Sequence, residues 1–400
     1  MRICRGREKD YTDTLKASYT GYITQAIVNN LAPLLFLTFQ DAYGISFGQL
    51  TLLITVNFGI QLMVDLLSAV AIDRVGYRRA IVFAHMVSAL GIGAMAIWPG
   101  FWGLAGATAL YGVGGGLIEV LISPIVEACP TKQKAASMSL LHSFYCWGHV
   151  LVVAGATLFF RAAGKENWRI LCVLWAAVPA WNAWQFGRVP IRMLKEEREV
   201  QPIKSWIKGG AFWMFALLMM CSGAAEQAMS QWASAFAEMS LGVSKTVGDL
   251  AGPCLFAALM GSSRLFYARM GGKIPVRKLM VLGGGMCLLS YSLAAFSPAS
   301  LWALAGCALC GLSVGILWPG TYSLAAGELK GGGTAMFAFL ALAGDLGCSL
   351  GPGMVGMAAQ RWGNIQMGML GAMVFPAFLF LALLVSAFQS PGRASMEKGN

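Results

Sequence analysis

Long apolar runs, each broken by charge or by glycine and proline, recur over 17–39, 49–72, 80–98, 102–127, 136–160, 170–187, 211–236, 246–267, 277–296, 301–326, 333–358 and 365–387. About 20 apolar residues in α-helical form cross the hydrocarbon core of a bilayer, so each run is a candidate span. Short segments of alternating apolar and polar residues, which a closed barrel requires, do not appear. The pattern therefore predicts an all-α integral membrane protein with twelve transmembrane helices.

The longest strongly polar stretch, Arg188 to Lys208, falls after the sixth run. It divides the chain into a six-helix half at 1–187, a linker at 188–210 and a second six-helix half at 211–400. An offset of 195 carries Arg74 to Arg269, Gly76 to Gly271 and Arg78 to Lys273, so the loop after the second run is echoed after the eighth. Parallel repeats of this kind are one of the architectures of secondary transporters. Of the 29 Lys and Arg, all but Arg161, Lys165, Arg169, Lys245 and Arg361 fall in or beside segments on one side of the predicted membrane. The positive-inside bias places both termini of this multi-pass protein in the cytoplasm; the inner (plasma) membrane is the expected location, with the lipid bilayer as partner and a monomer as the expected state.

Composition narrows the function. The chain is 57% hydrophobic and 12% charged, against roughly a quarter charged in a soluble domain. The net charge of +11 is spread over loops rather than one folded face, which argues against nucleic acid as a partner. Most of the ten cysteines lie inside apolar runs, where they read as small packing residues, and the Cys307/Cys310 pair has no second pair or histidine to complete a metal site. Gly283, Gly284 and Gly285 lack the Lys-Ser/Thr of a phosphate loop. No cofactor motif or activated nucleophile is present, so an enzyme is not expected.

Intramembrane polar residues are costly and tend to face a cavity. Asn57, Gln61 and Asp65 recur at i, i+4 and i+8, which puts them on one helical face, and the first run adds Tyr22, Gln25 and Asn29 at i, i+3 and i+7, with Asn30 adjacent. These amides either line a transport path or hydrogen-bond between helices to hold the bundle. Further carboxylates occur at Glu119, Glu226, beside Gln227, Gln231 and Trp232, and Asp345. Arg264, close to the end of the eighth run, is expected to snorkel to the surface. His85 and His149 read as satisfied bundle residues.

Between the second and third runs stands Asp73-Arg74-Val75-Gly76-Tyr77-Arg78-Arg79. It resembles the signature loop of the major facilitator superfamily, which implies a latch between halves built on Asp73, Arg74, Gly76 and Arg78. The fourth run, Gly114-Gly115-Gly116-Leu117-Ile118-Glu119, with Ser123-Pro124 after it, resembles the fucose/galactose/glucose proton symporter family. So do Asn29-Asn30-Leu31, Leu140-Leu141-His142-Ser143-Phe144-Tyr145, Leu317-Trp318-Pro319-Gly320 and Gly363-Asn364-Ile365. The resemblance implies a cavity-facing Glu119 in proton-coupled sugar binding, His142 and Tyr145 against the solute, and Trp318 as a sugar platform beside Pro319, which disturbs the tenth helix. Pro33 stands where the family has an aspartate thought to carry the proton.

Taken together these features predict a secondary transporter for ion-coupled uptake, with proton or sodium as the coupling ion and a neutral sugar or related polyhydroxy compound as the small-molecule solute. Asn29, Asn30, Gln61, Glu119, His142, Tyr145, Gln227, Trp232 and Trp318 are the candidate solute contacts. Glu119, Asp65, Glu226, Asp345 and His142 are the candidates for ion coupling. Glu119 and His142 enter their helices to similar depth and are expected to meet. A proton-driven exporter of apolar or cationic compounds, or a non-transporting nutrient sensor, are the alternatives.

Overall fold

The computed structural model describes residues 11–130, 134–191, 208–270, 274–329 and 333–388. Residues 192–207, which hold most of the predicted linker, lie outside them. The described residues form α1 (Thr12–Leu34), α2 (Phe36–Tyr43), α3 (Phe47–Val75), α4 (Tyr77–Ile97), α5 (Gly100–Ala128), α6 (Lys134–Ala163), α7 (Trp168–Arg188), α8 (Gly210–Met239), α9 (Lys245–Asp249), α10 (Leu255–Met270), α11 (Val276–Phe296), α12 (Ser300–Val314), α13 (Leu317–Glu328), α14 (Gly333–Trp362), α15 (Ile365–Ala372) and α16 (Val374–Phe388). In chain order these helices make twelve successive crossings, α1–α2, α3, α4, α5, α6, α7, α8, α9–α10, α11, α12–α13, α14 and α15–α16. The ends near 75, 129, 190, 210, 270 and 328 share one face, here the linker face, and the ends near 45, 98, 165, 242, 298 and 363 share the far face.

Eight of the crossings are long and apolar enough to span a bilayer, and a ninth qualifies when the bent pair α1–α2 is taken as one. Their outer surfaces are oily: Trp102, Ile97 and Leu301 are 81%, 76% and 74% exposed. Large apolar side chains facing outward around buried amides invert a soluble fold and fit a hydrocarbon solvent.

Four crossings are interrupted, each at an identifiable place. Pro33 precedes Leu35, where α1 gives way to α2 at an angle of 48°. A π-turn at Leu250–Cys254, containing Pro253, links α9 to α10. Gly315 and Ile316 separate α12 from α13, close before Pro319, whose missing N–H cannot continue the backbone ladder. Met373 separates α15 from α16.

Glycine lets helices meet backbone to backbone. A Cβ on Gly347 would lie 1.9 Å from the Met220 carbonyl oxygen and one on Gly351 would lie 2.2 Å from that of Ala224, which fixes α14 tightly against α8. The cysteines among the described residues are free thiols, and Cys307 and Cys310 are both fully buried.

Candidate transport pathway

A chain of amides leads from the far half of the bundle to a carboxylate. Gln61 Nε2 donates to Asn29 Oδ1 at 2.8 Å and to Asn57 Oδ1 at 2.9 Å, and Asn57 Nδ2 donates to Asn29 Oδ1 at 3.3 Å. Gln25 Nε2 then donates to Gln61 Oε1 at 3.0 Å and to Glu119 Oε2 at 3.1 Å. Asn29, Asn57, Gln61 and Gln25 are all buried. Their helical spacing therefore ties α1, α3 and α5 together, with the amide N–H groups donating to one another and to Glu119. Glu119 is the end of this chain that reaches the interior cleft.

Around Glu119 the two halves face each other. Tyr22 OH bonds Ser123 Oγ at 3.1 Å, and its ring meets that of His142 edge-on at 5.2 Å. Tyr145 OH accepts from Asn30 Nδ2 at 3.4 Å. From the second half, Trp318 packs edge-on to Tyr322 at 6.3 Å, and Gly344 leaves the space the indole occupies, since a Cβ there would stand 2.2 Å from its Cη2. The carboxyl of Asp345 faces that of Asp65 across the seam, with Glu119 within electrostatic range of both. One oxygen of Asp65, Oδ1, is buried without a hydrogen-bond partner. Glu119, Tyr145, Trp318, Tyr322, Asp65 and Asp345 are half-buried, and His142 is exposed, so this cleft admits water and opens toward the linker face.

Several expectations are corrected. Arg264 does not snorkel: its Nη2 lies 3.6 Å from Glu226 Oε2 and its side chain is only 18% exposed. The ion pair holds it in the cleft, where a lone buried Glu226 would be costly. Glu119 and His142 do not meet; no hydrogen bond or ion pair joins them among the described residues, because Gln25 takes the carboxylate and Tyr22 takes the imidazole. Trp232 is not on the cleft wall. It is fully buried between Phe36 and Phe47 and donates Nε1 to Pro352 O at 3.0 Å. Gln227 is buried and accepts from Gln231 Nε2 at 3.1 Å. Arg78 does not reach the other half: it donates to the carbonyls of Phe186, Gly187 and Val189 at 3.0, 2.8 and 2.7 Å, capping the end of α7, whose last carbonyls lack intrahelical partners. Gly76 makes the turn into α4 at φ +86°, a left-handed value that favours glycine. The side chains of Asp73 and Arg74 lie outside the described residues.

At the far face the halves are locked together. Lys245, expected in a loop, is 8% exposed; its Nζ donates to Leu34 O of the first half at 2.9 Å and pairs with Glu238 at 3.3 Å and Asp249 at 3.1 Å. Leu34 sits at the α1–α2 bend. Thr157 Oγ1 donates to Asp249 Oδ2 at 3.4 Å, Lys165 pairs with Glu238 at 3.1 Å, and Gln231 Nε2 donates to Asn29 O at 2.9 Å. A Lys and an Asp four apart at the start of an apolar run were the available sign of this cluster. The molecule is thus sealed on one face and open on the other.

The model of the Major Facilitator Superfamily matches residues 19–352. The chain belongs to that superfamily. This facilitator is 24% identical over 255 residues to membrane protein MosC of Rhizobium meliloti, covering 64% of this chain and 61% of that protein's length. Its fold is similar to a bacterial homolog of the human lysosomal transporter Spinster, in an inward-facing and occupied conformation, with a TM-score of 0.79 at 13% identity, over 96% of this chain and 98% of the other. It is also similar to the E. coli fucose:proton symporter FucP (N162A), with a TM-score of 0.65 at 16% identity, over 94% and 99%.

Proposed function

We propose that this facilitator takes up a polyhydroxy solute, a neutral sugar or a close relative, together with protons, by alternating access. The observation that carries the reading is the cleft itself. It is a water-admitting space between the halves where Asp65, Glu119 and Asp345 converge opposite Trp318, Tyr322, Tyr145 and His142. Ionised carboxylates only accept hydrogen bonds, so Asp65 and Asp345 can bond to each other only with a proton between them. Such a pair is a proton carrier. Carboxylates, a guanidinium and aromatic faces together are also the groups that fix a hydroxylated ring in an apolar pocket. Six-helix halves at 1–187 and 211–400 rock about this site, with the linker face cytoplasmic by the positive-inside bias, in the inner membrane, and the protein acts as a monomer.

In this conformation a proton on Glu119 or on the Asp65–Asp345 pair leaves to the cytoplasm once solute has gone. Opening the far face requires the Lys245 cluster and the Gln231–Asn29 bond to part. A second reading is favoured by one observation: Arg264 is matched by Glu226, and among the described residues no cation pairs with Asp65, Glu119 or Asp345, so an organic cation exported against protons would also fit them. Purified protein in liposomes, given a panel of sugars, polyols and organic cations under separately imposed proton and sodium gradients, tests the proposal. Proton-driven accumulation of a polyhydroxy solute supports it; proton-driven movement of cations alone replaces it with the second reading.

A further inference from the structure

The seam between α3 of the first half and α8 and α14 of the second is tight at one end and open at the other. Near the far face a Cβ on Gly356 would overlap the Thr51 side chain, so α3 and α14 touch there. Toward the linker face the same seam parts into a cleft of about 290 Å³, near the lower limit of roughly 300–1,000 Å³ for small-molecule sites. Its walls are apolar side chains alone, among them Leu62 and Leu66 of α3, Ala216 of α8, and Leu342 and Leu346 of α14, with Trp213 at the entrance. The mouth faces outward from the bundle: Leu66, Trp213 and Leu346 are 55%, 60% and 42% exposed. By pseudo-symmetry the matching seam lies between α6 and α10, and there Trp147 and Cys146 pack against Gly261 instead.

We infer that this lateral cleft holds an acyl chain of a membrane lipid from the leaflet on the linker face. Leu62 and Leu66 lie nine to thirteen residues inside the linker-face end of α3, roughly 13–20 Å deep at about 1.5 Å per residue, which is the depth of lipid tails rather than headgroups. Water has no polar partner on these walls and would stay out. An empty space would forfeit the dispersion contacts of its lining. A tail entering from the bilayer leaves one apolar medium for another and gains those contacts. The cleft exists because the linker face is open, so the tail is a ligand of this conformation and leaves when that side closes.

The site stands independently of the solute. Purified protein is placed in phosphatidylethanolamine–phosphatidylglycerol vesicles with a trace of phospholipid bearing a diazirine in its acyl chain, irradiated, and mapped by peptide mass spectrometry. Adducts several-fold denser at 212–216 and 339–346 than at Leu158, Leu282 and Leu381, which are 66%, 63% and 57% exposed, are expected. Ala216→Trp fills the cleft and should return that labelling to the level of the other lipid-facing helices; Leu346→Trp, at the exposed mouth, is the second plug should the first misfold. Even labelling of the wild type, or labelling that neither tryptophan reduces, overturns the inference.

Discussion

A single methyl group added at Gly356 should turn the molecule toward its other conformation. On α14 at the far face, the new Cβ would stand 1.6 Å from Thr51 Oγ1 and 2.7 and 2.8 Å from its Cβ and Cγ2, well inside contact distance. Thr51 cannot swing away freely, because its hydroxyl donates to Phe47 O at 2.8 Å. Overpacking of this kind costs about 1–3 kcal/mol. The contact exists only while the far face is closed, so the whole cost falls on that state and shifts its population by about 5- to 150-fold. Gly353→Ala, nearly one turn away, meets nothing nearer than Thr55 Oγ1 at 4.0 Å and serves as the control. Thr51→Ala in the Gly356→Ala background removes the closest atom but leaves the Cβ at 2.7 Å, so it should restore only part of the closed population. Spin labels at Asp41 and Met239, on the far ends of the two halves, report the separation by pulsed electron resonance in nanodiscs. Gly356→Ala should populate a longer distance while Gly353→Ala matches the parent; identical distributions for all variants would refute the steric argument.

Other changes act on single contacts. Lys245→Met removes the charge-assisted bond to Leu34 O, worth about 1.5–3 kcal/mol, and should favour far-face opening, read by the same label pair as a longer separation. Arg264→Gln strands Glu226 in the cleft at a cost of about 3–5 kcal/mol, lowering thermal stability in detergent, and Glu226→Gln in the same chain should recover most of the loss. Trp318→Ala should weaken solute binding by about tenfold, near 1.4 kcal/mol, with protein yield unchanged, as measured by solute-dependent thermal shift.

The twelve crossings were legible because bilayer thickness imposes a length on every apolar run, and because periodicity places residues such as Asn57, Gln61 and Asp65 on one face whatever they touch. What lay beyond the sequence was which way each face turns. Depth along two helices sets the height of Glu119 and His142 but not their azimuth, and Tyr22 occupies the space between. Arg264 reads as a surface cation from its position near a helix end, and only the fold brings Glu226 to it. Trp232 follows polar neighbours in sequence yet turns into the far-face seal, and Arg78 finds its acceptors in α7, about 110 residues on. Long-range partners of polar groups are set by packing between helices, on which local pattern is silent. The amides can be read in two roles from their spacing, and their mutual hydrogen bonds show that they tie the helices together and reach Glu119.

Solute-induced proton movement tests the central claim most directly. In proteoliposomes with a trapped pH dye and no imposed gradient, adding the solute outside should acidify the lumen as protons enter with it. Glu119→Gln should abolish that signal while retaining exchange of labelled for unlabelled solute. Solute entry in the wild type without any proton signal would contradict the assignment of this carboxylate cluster as the coupling site; a full proton signal in Glu119→Gln would contradict the part of Glu119 in it and leave the Asp65–Asp345 pair as the carrier.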